Sequence, residues 1–188
     1  AADGTVAGRD AYRALIHNHA QLDYPSVGAW LEDRGPAPPK VAASAALAAQ
    51  LRLQDRAARA MRSQRHRAGA LDLETIETTA VTTNGLVTGL AAHRKNRATM
   101  LIEDFMICAN VAMAKLLEDR QVSSIRRVVK APERWERIVA LAVALGDTLP
   151  NEPDSVALAQ FIARRRVADP DHFPDLSISI IKLMGPGD

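Results

Sequence analysis

The stretch Met100-Leu-Ile-Glu-Asp-Phe-Met-Ile-Cys-Ala-Asn110, continued by Val-Ala-Met-Ala-Lys-Leu-Leu117, constrains the fold of this chain more than any other. It reads as a buried helix that carries a carboxylate and an amide among apolar residues. At roughly 100° per residue, Glu103 and Asn110 point in nearly the same direction, with Met106 and Ile107 between them. Met100, Phe105, Met113, Leu116 and Leu117 leave little of this helix outside a core. A buried ionised carboxylate is costly unless a partner satisfies it. Glu103 is therefore expected in an internal polar network, in a cap or salt bridge, or aimed at a ligand; periodicity leaves these alternatives open.

The chain of 188 residues is long enough for one substantial core, and 47% hydrophobic with 24% charged residues is the balance of a soluble globular protein. No apolar run is long enough to cross a bilayer and no signal peptide is visible, so the expected setting is cytoplasmic, with no membrane partner. The single cysteine, Cys108, excludes an intrachain disulfide and reads as a small core residue. The net charge of +2 conceals an uneven distribution: residues 50–67 hold six arginines against one aspartate. Arg52, Arg56, Arg59 and Arg62 recur at helical steps, and Arg67 closes the run. Further clusters lie at Arg94-Lys95-x-Arg97, Arg126-Arg127-x-x-Lys130 and Arg164-Arg165-Arg166. Such patches suit a polyanion that runs along a surface or into a channel; each also reads as a solvated helix face.

Residues 11–22 suggest a strand, after which Ser26 caps a short helix from Val27 to Asp33. Pro36, Pro38 and Pro39 predict an exposed linker, followed by an amphipathic helix from about Val41 to Gln64, stopped at Gly69. Between Ala70 and His93 the pattern turns β-prone, with Asn84-Gly85 as a hairpin signal. The apolar helix then covers about Ala98 to Asp119, and Ser123 to Val129 is a short strand candidate. Helices are expected from Pro132 to Leu145, Ser155 to Arg166 and Pro174 to Met184, with Trp30 and Trp135 as core anchors. The expected class is α+β: one mainly helical lobe over residues 1–188 with a few short strands and a hairpin. Both ends read as abrupt, which suggests a piece of a longer chain.

Several blocks carry a resemblance. Ile16-x-x-His19-Ala20-x-Leu22-x-Tyr24-x-x-Val27, Arg67-Ala-Gly69-Ala70-Leu71-Asp72-Leu73-Glu74, and Leu101-Ile-Glu103-Asp104-Phe-Met-Ile-x-Ala-Asn110-x-Ala112 occur in that order. Ile125-Arg-Arg-Val-Val-Lys-Ala-Pro132 and a helix ending in Leu145-Gly146 follow. This order resembles the middle of the RNB catalytic domain of ribonuclease II and ribonuclease R exonucleases, most specifically in the Ile-Glu-Asp-Phe-Met-Ile-x-Ala-Asn block. The resemblance implies processive 3′→5′ hydrolysis of single-stranded RNA to nucleoside monophosphates, with magnesium as cofactor. It also implies a channel too narrow for a duplex, completed by the remaining segments of the domain.

Carried over residue by residue, the resemblance implies that Tyr24 and Glu103 hold the ribose and base near the RNA 3′ end. A phenol and a carboxylate can hydrogen-bond sugar hydroxyls that DNA partly lacks. His19 lies in the same motif as Tyr24 and counts among the RNA-binding candidates, Asn110 orders the backbone around Glu103, and Leu73 falls near a base clamp that relatives fill with an aromatic. Arg56, Arg59 and Arg67 are the basic candidates facing RNA. Two departures stand out: nothing before Ile16 resembles the family's metal-binding aspartates, since Asp3 and Asp10 are isolated, and the downstream serine-proline-isoleucine-arginine-arginine motif is absent. No catalytic or metal-binding residue is therefore assigned here, and the magnesium ligands are expected outside this segment.

Other constellations point less far. His17 and His19 on one side of a strand lack the partners of a zinc site, and His66, His93 and His172 are scattered. Asp72, Glu74 and Glu77 read as solvated strand-edge acids, and Gly185-Pro-Gly as a turn. Two further functional classes compete: a non-catalytic helical nucleic-acid-binding or adaptor module using the Arg52–Arg67 stripe, and a helical domain for a small molecule or partner.

Overall fold

Two tryptophans anchor two separate apolar clusters. Trp30 packs with Val27, Leu31, Val41, Ala58, Ala98 and Leu101, whereas Trp135 packs with Ile138, Leu158, Phe161, Ile162, Phe173 and Ile180. A computed structural model describes residues 1–75, 77–93, 95–126 and 132–185, with the side chains of 77, 92 and 93 left aside. The clusters belong to two compact units: Ala1–Gln64 with Lys95–Ser124, and Arg65–Arg94 with Ile125–Asp188. Apolar periodicity identifies the faces to be buried, but not which faces meet.

In the first unit, α1 (Tyr24–Leu31) starts at Asp23, not at the expected Ser26: the Asp23 carboxylate accepts from the Ser26 amide at 2.9 Å. The same carboxylate receives the Ser26 hydroxyl, and these bonds hold it below the usual carboxylate range. The proline-rich stretch is exposed at Pro36 and Pro39, as expected, but it is more than a linker. Pro38 is buried and Pro39 opens a one-turn helix, α2 (Pro39–Ala42), that drives Val41 into the core. Helix α3 (Ala45–Arg67) therefore begins later than predicted. Helix α4 (Arg97–Asp119) opens with a capping box, in which the Asn96 side chain accepts from the Ala98 and Thr99 amides at 3.0 Å each. Residues 11–22, expected as a strand, adopt no regular structure, and Leu15 and Ile16 are exposed. A strand needs a neighbour to take its backbone hydrogen bonds, and none pairs with this segment among the described residues.

In the second unit, Gly69 (φ +89°) ends the last turn of α3, and Ala70 N–H returns to the Arg65 carbonyl at 2.9 Å. A Cβ at Gly69 would stand 2.5 Å from the Ser155 hydroxyl, so the stop is also a tight contact. Strand β1 (Glu77–Thr83) pairs antiparallel with β2 (Leu86–His93) through Asn84 and Gly85, both at positive φ as the Asn-Gly signal requires. Strand pairing starts at Glu77, so Asp72 and Glu74 are not strand-edge residues. Helices α5 (Trp135–Ala144), α6 (Ser155–Ala168) and α7 (Phe173–Met184) follow within three residues of the predicted bounds. The strand candidate at Ser123 has no regular structure through residue 126, and the rest of it lies outside the described residues, as does Pro186 of the expected turn. Among the described residues the class is α+β and mainly helical, with a two-stranded hairpin.

Candidate nucleic-acid interface

Helix α4 does not sit inside a core as its sequence suggests. Ala98, Leu101 and Asp104 are its buried residues, whereas Ile102, Phe105, Met106, Val111 and Met113 are exposed. The buried acid is Asp104, at 1% exposure, and not its neighbour Glu103. Positions 98, 101 and 104 lie three apart on one face, and Glu103 falls about 100° away from it. Cys108, expected in a core, is only partly buried.

The burial of Asp104 follows from a reciprocal arrangement between α3 and α4. Arg62 of α3 directs Nε and Nη2 at the Asp104 carboxylate, at 3.3 and 3.0 Å, and Nη2 also donates to the Met100 carbonyl at 3.2 Å. Seven residues earlier on each helix the charges are exchanged: Arg97 of α4 meets buried Asp55 of α3, with Nε 3.0 Å from Oδ1. The matched spacing means that α3 and α4 run in the same sense. Each buried carboxylate is thus paired, as burial demands. Asp55 also receives Arg59 at 3.3 Å, and Arg52 stacks on Trp30 at 5.0 Å. Of the arginine stripe, Arg62 is therefore taken into the fold, whereas Arg52 and Arg59 make these contacts from exposed positions. Arg56 is exposed without a partner among the described residues, and Arg67 is exposed in the second unit.

The remaining face of α4 forms a groove with α1. The two helices approach closely because Gly28 has no side chain: a Cβ there would fall 2.5 Å from Asn96 Cγ. Asn96 Nδ2 donates to the Tyr24 carbonyl at 3.1 Å, and the Arg97 amide donates to Glu32 Oε1 at 2.8 Å. The start of α4 is thereby pinned to both ends of α1. Tyr24, Thr99, Ile102, Glu103, Met106, Ile107 and Asn110 line an open groove of about 380 Å³. Tyr24 and Glu103 converge there, with Asn110 exposed at the same groove. Lys95 Nζ lies 3.0 and 2.8 Å from the two Glu103 oxygens, a surface pair that leaves both groups partly open to water.

The other predicted residues lie elsewhere. His19 is exposed in the irregular segment, its ring 5.1 Å from that of His17 and edge-on to it, not across a strand. Leu73 packs, partly buried, on the core of the second unit. Asp72, predicted as a solvated acid, pairs with Arg166 at 2.6 Å. Arg164 binds Asp147 through two bonds of 2.9 Å while staying exposed, so one member of the Arg164–Arg166 cluster is held in a surface pair. Arg94 and the run from Arg127 to Lys130 lie outside the described residues. Among the described residues no group of three His, Cys, Asp or Glu side chains could hold a metal, and no helix is long and apolar enough to cross a membrane.

A family model of the RNB domain matches residues 1–187. The chain belongs to the RNB domain family. Among curated proteins, this RNB chain is 29% identical over 145 residues to ribonuclease R of Vibrio cholerae, covering 77% of the chain and 17% of that protein. Against ribonuclease R of Vibrio parahaemolyticus it is 27% identical over 171 residues, covering 87% of the chain and 20% of that protein. The RNB chain thus spans about a fifth of these relatives. Its fold matches ribonuclease R of Mycoplasma genitalium, free and in complex with ribose-methylated single-stranded RNA, each with a TM-score of 0.70 and 18% identity over 87% of this chain and 26% of that one. A complex of the same enzyme with double-stranded RNA matches with a TM-score of 0.68.

Proposed function

We propose that this RNB chain is part of a 3′→5′ exoribonuclease that hydrolyses single-stranded RNA, and that the α1–α4 groove holds the ribose near the RNA 3′ end. The observation that carries this reading is the convergence of Tyr24 and Glu103 on one open groove with Asn110. The carboxylate accepts hydrogen bonds from ribose hydroxyls, the phenol can donate or accept, and Ile102, Met106 and Ile107 offer an apolar face to sugar or base. A deoxyribose lacks one partner for Glu103, which makes the site a selector of RNA over DNA. The adaptor reading loses Arg62, which is engaged with buried Asp104, but keeps the exposed Arg52, Arg56 and Arg59. Magnesium dependence belongs to this proposal through the family alone. Its ligands are expected from other segments of the RNB domain, as the family resemblance implies, and no step is routed through the ion.

The test compares binding of 5′-labelled RNA and DNA of one sequence in chelator. Glu103→Ala is expected to lower RNA affinity by roughly tenfold, the scale of one hydrogen-bonded pair to a charged group, with little change for DNA. Equal loss for both nucleic acids would refute the ribose role. A magnesium-dependent ladder on the labelled RNA, abolished by chelator, would establish the exonuclease activity.

A further inference from the structure

We propose that Lys95 reads the phosphate next to the ribose gripped by Glu103, transferring its charge from the carboxylate to RNA as the strand enters the groove. The inference rests on the groove being the ribose site.

None of the residues lining the groove carries positive charge, and its one carboxylate is Glu103. A nucleotide entering there brings a phosphate to within a few ångströms of its own 2′-hydroxyl. Without a cation it would meet the Glu103 charge unopposed, and like charges at such distances repel. Lys95 is the cation already in contact with that carboxylate, through Nζ bonds of 3.0 and 2.8 Å. The contact is easily exchanged: the Lys95 and Glu103 side chains are 62% and 42% exposed, and such surface pairs are worth little. On binding, ribose hydroxyls take over the carboxylate oxygens, and the ammonium turns to the phosphate on its flexible stem.

The backbone beneath Lys95 is held in place for this exchange. Asn96, the next residue, caps α4 and bonds the Tyr24 carbonyl, and the amide of Arg97 is held by Glu32. The root of the lysine is thus fixed relative to both Tyr24 and Glu103, while its tip is free to move. Phosphate carries no information on sugar identity, so Lys95 contributes affinity and placement, and Glu103 contributes the choice of ribose.

The experiment measures anisotropy of 5′-fluorescein-labelled oligoadenylate RNA and the matching DNA in chelator, over a salt series, with the full chain and its Lys95→Met, Lys95→Arg and Glu103→Gln variants. Loss of one phosphate contact on a single strand makes the slope of log K against log salt shallower by about 0.7, and weakens binding roughly fivefold at 0.1 M salt. Lys95→Met is expected to do this to RNA and DNA alike, leaving their ratio intact, and Lys95→Arg to restore the slope. An unchanged slope in Lys95→Met, or a change confined to the RNA-to-DNA ratio, would overturn the inference. Failure of the ribose reading looks different: Glu103→Gln would leave the ratio unmoved whatever Lys95 does. A wild-type chain that binds neither nucleic acid would overturn both.

Discussion

Arg62→Met tests the reciprocal ion pairs that join α3 to α4. The Asp104 side chain is 2% exposed, and two nitrogens of Arg62, itself 19% exposed, face its oxygens at 3.3 and 3.0 Å. Methionine fills much of the arginine stem but offers no donor, so the substitution leaves a buried carboxylate without its guanidinium. Breaking a buried pair in this way costs roughly 3–5 kcal/mol. The lower end, about 3 kcal/mol, is expected because water partly reaches Arg62. Removing both charges in Arg62→Met with Asp104→Leu should recover most of that loss, since an apolar pair of similar volume carries no desolvation penalty. The assay is urea unfolding in a Trp135→Phe background, where the remaining Trp30 reports on the first unit from within its core. A loss below about 1 kcal/mol for Arg62→Met, or a double variant as unstable as the sum of the single ones, would refute the reasoning.

Two further outcomes follow from particular contacts. Gly28→Ala should destabilise the first unit by about 1–3 kcal/mol, because the new methyl would displace Asn96 from the α4 cap and from the Tyr24 carbonyl; thermal unfolding checks it. In the second unit His172 Nδ1 lies 2.9 Å from Asp169. That hydrogen bond raises the imidazole above its ordinary value, helped by the charges of Asp169, Asp171 and Asp175. A raised histidine contributes stability that is full below its unfolded pKa of about 6.5 and is lost as pH rises through the folded value. The stability difference between wild type and His172→Gln, read from urea midpoints, should therefore shrink as pH climbs from 6 into the alkaline range. A difference constant across that range would refute it.

Glu103 and Asp104 show where the one-dimensional reading loses resolution. Both were legible as acids in an apolar helix, but hydrophobic context could not say which of two adjacent carboxylates turns inward. The answer depends on Arg62, which lies 42 positions away and reads by itself as one more arginine on a solvated stripe. The same holds for Asp55, whose burial is set by Arg97. A usable signal existed in the three-residue spacing of Ala98, Leu101 and Asp104, outweighed by the larger apolar residues around it. The groove was legible as two residues, Tyr24 and Glu103, but not as a place, because Asn96 and Gly28 bring α1 against α4. Residues 11–22 have strand character without a strand to pair with.

The sequence by itself determined the local events: the Asn84-Gly85 turn, the Gly69 stop, the helical stretches and the ordered blocks that mark an RNB chain. Each depends on backbone preferences or apolar periodicity within a few residues, which travel with the chain whatever surrounds it. Only the tertiary structure decided that the described apolar residues gather in two cores, that Arg62 of the stripe turns to a buried carboxylate, and that Lys95 stands beside Glu103. Burial and ion pairing depend on distances between residues remote in sequence, and those distances exist only once the helices have packed.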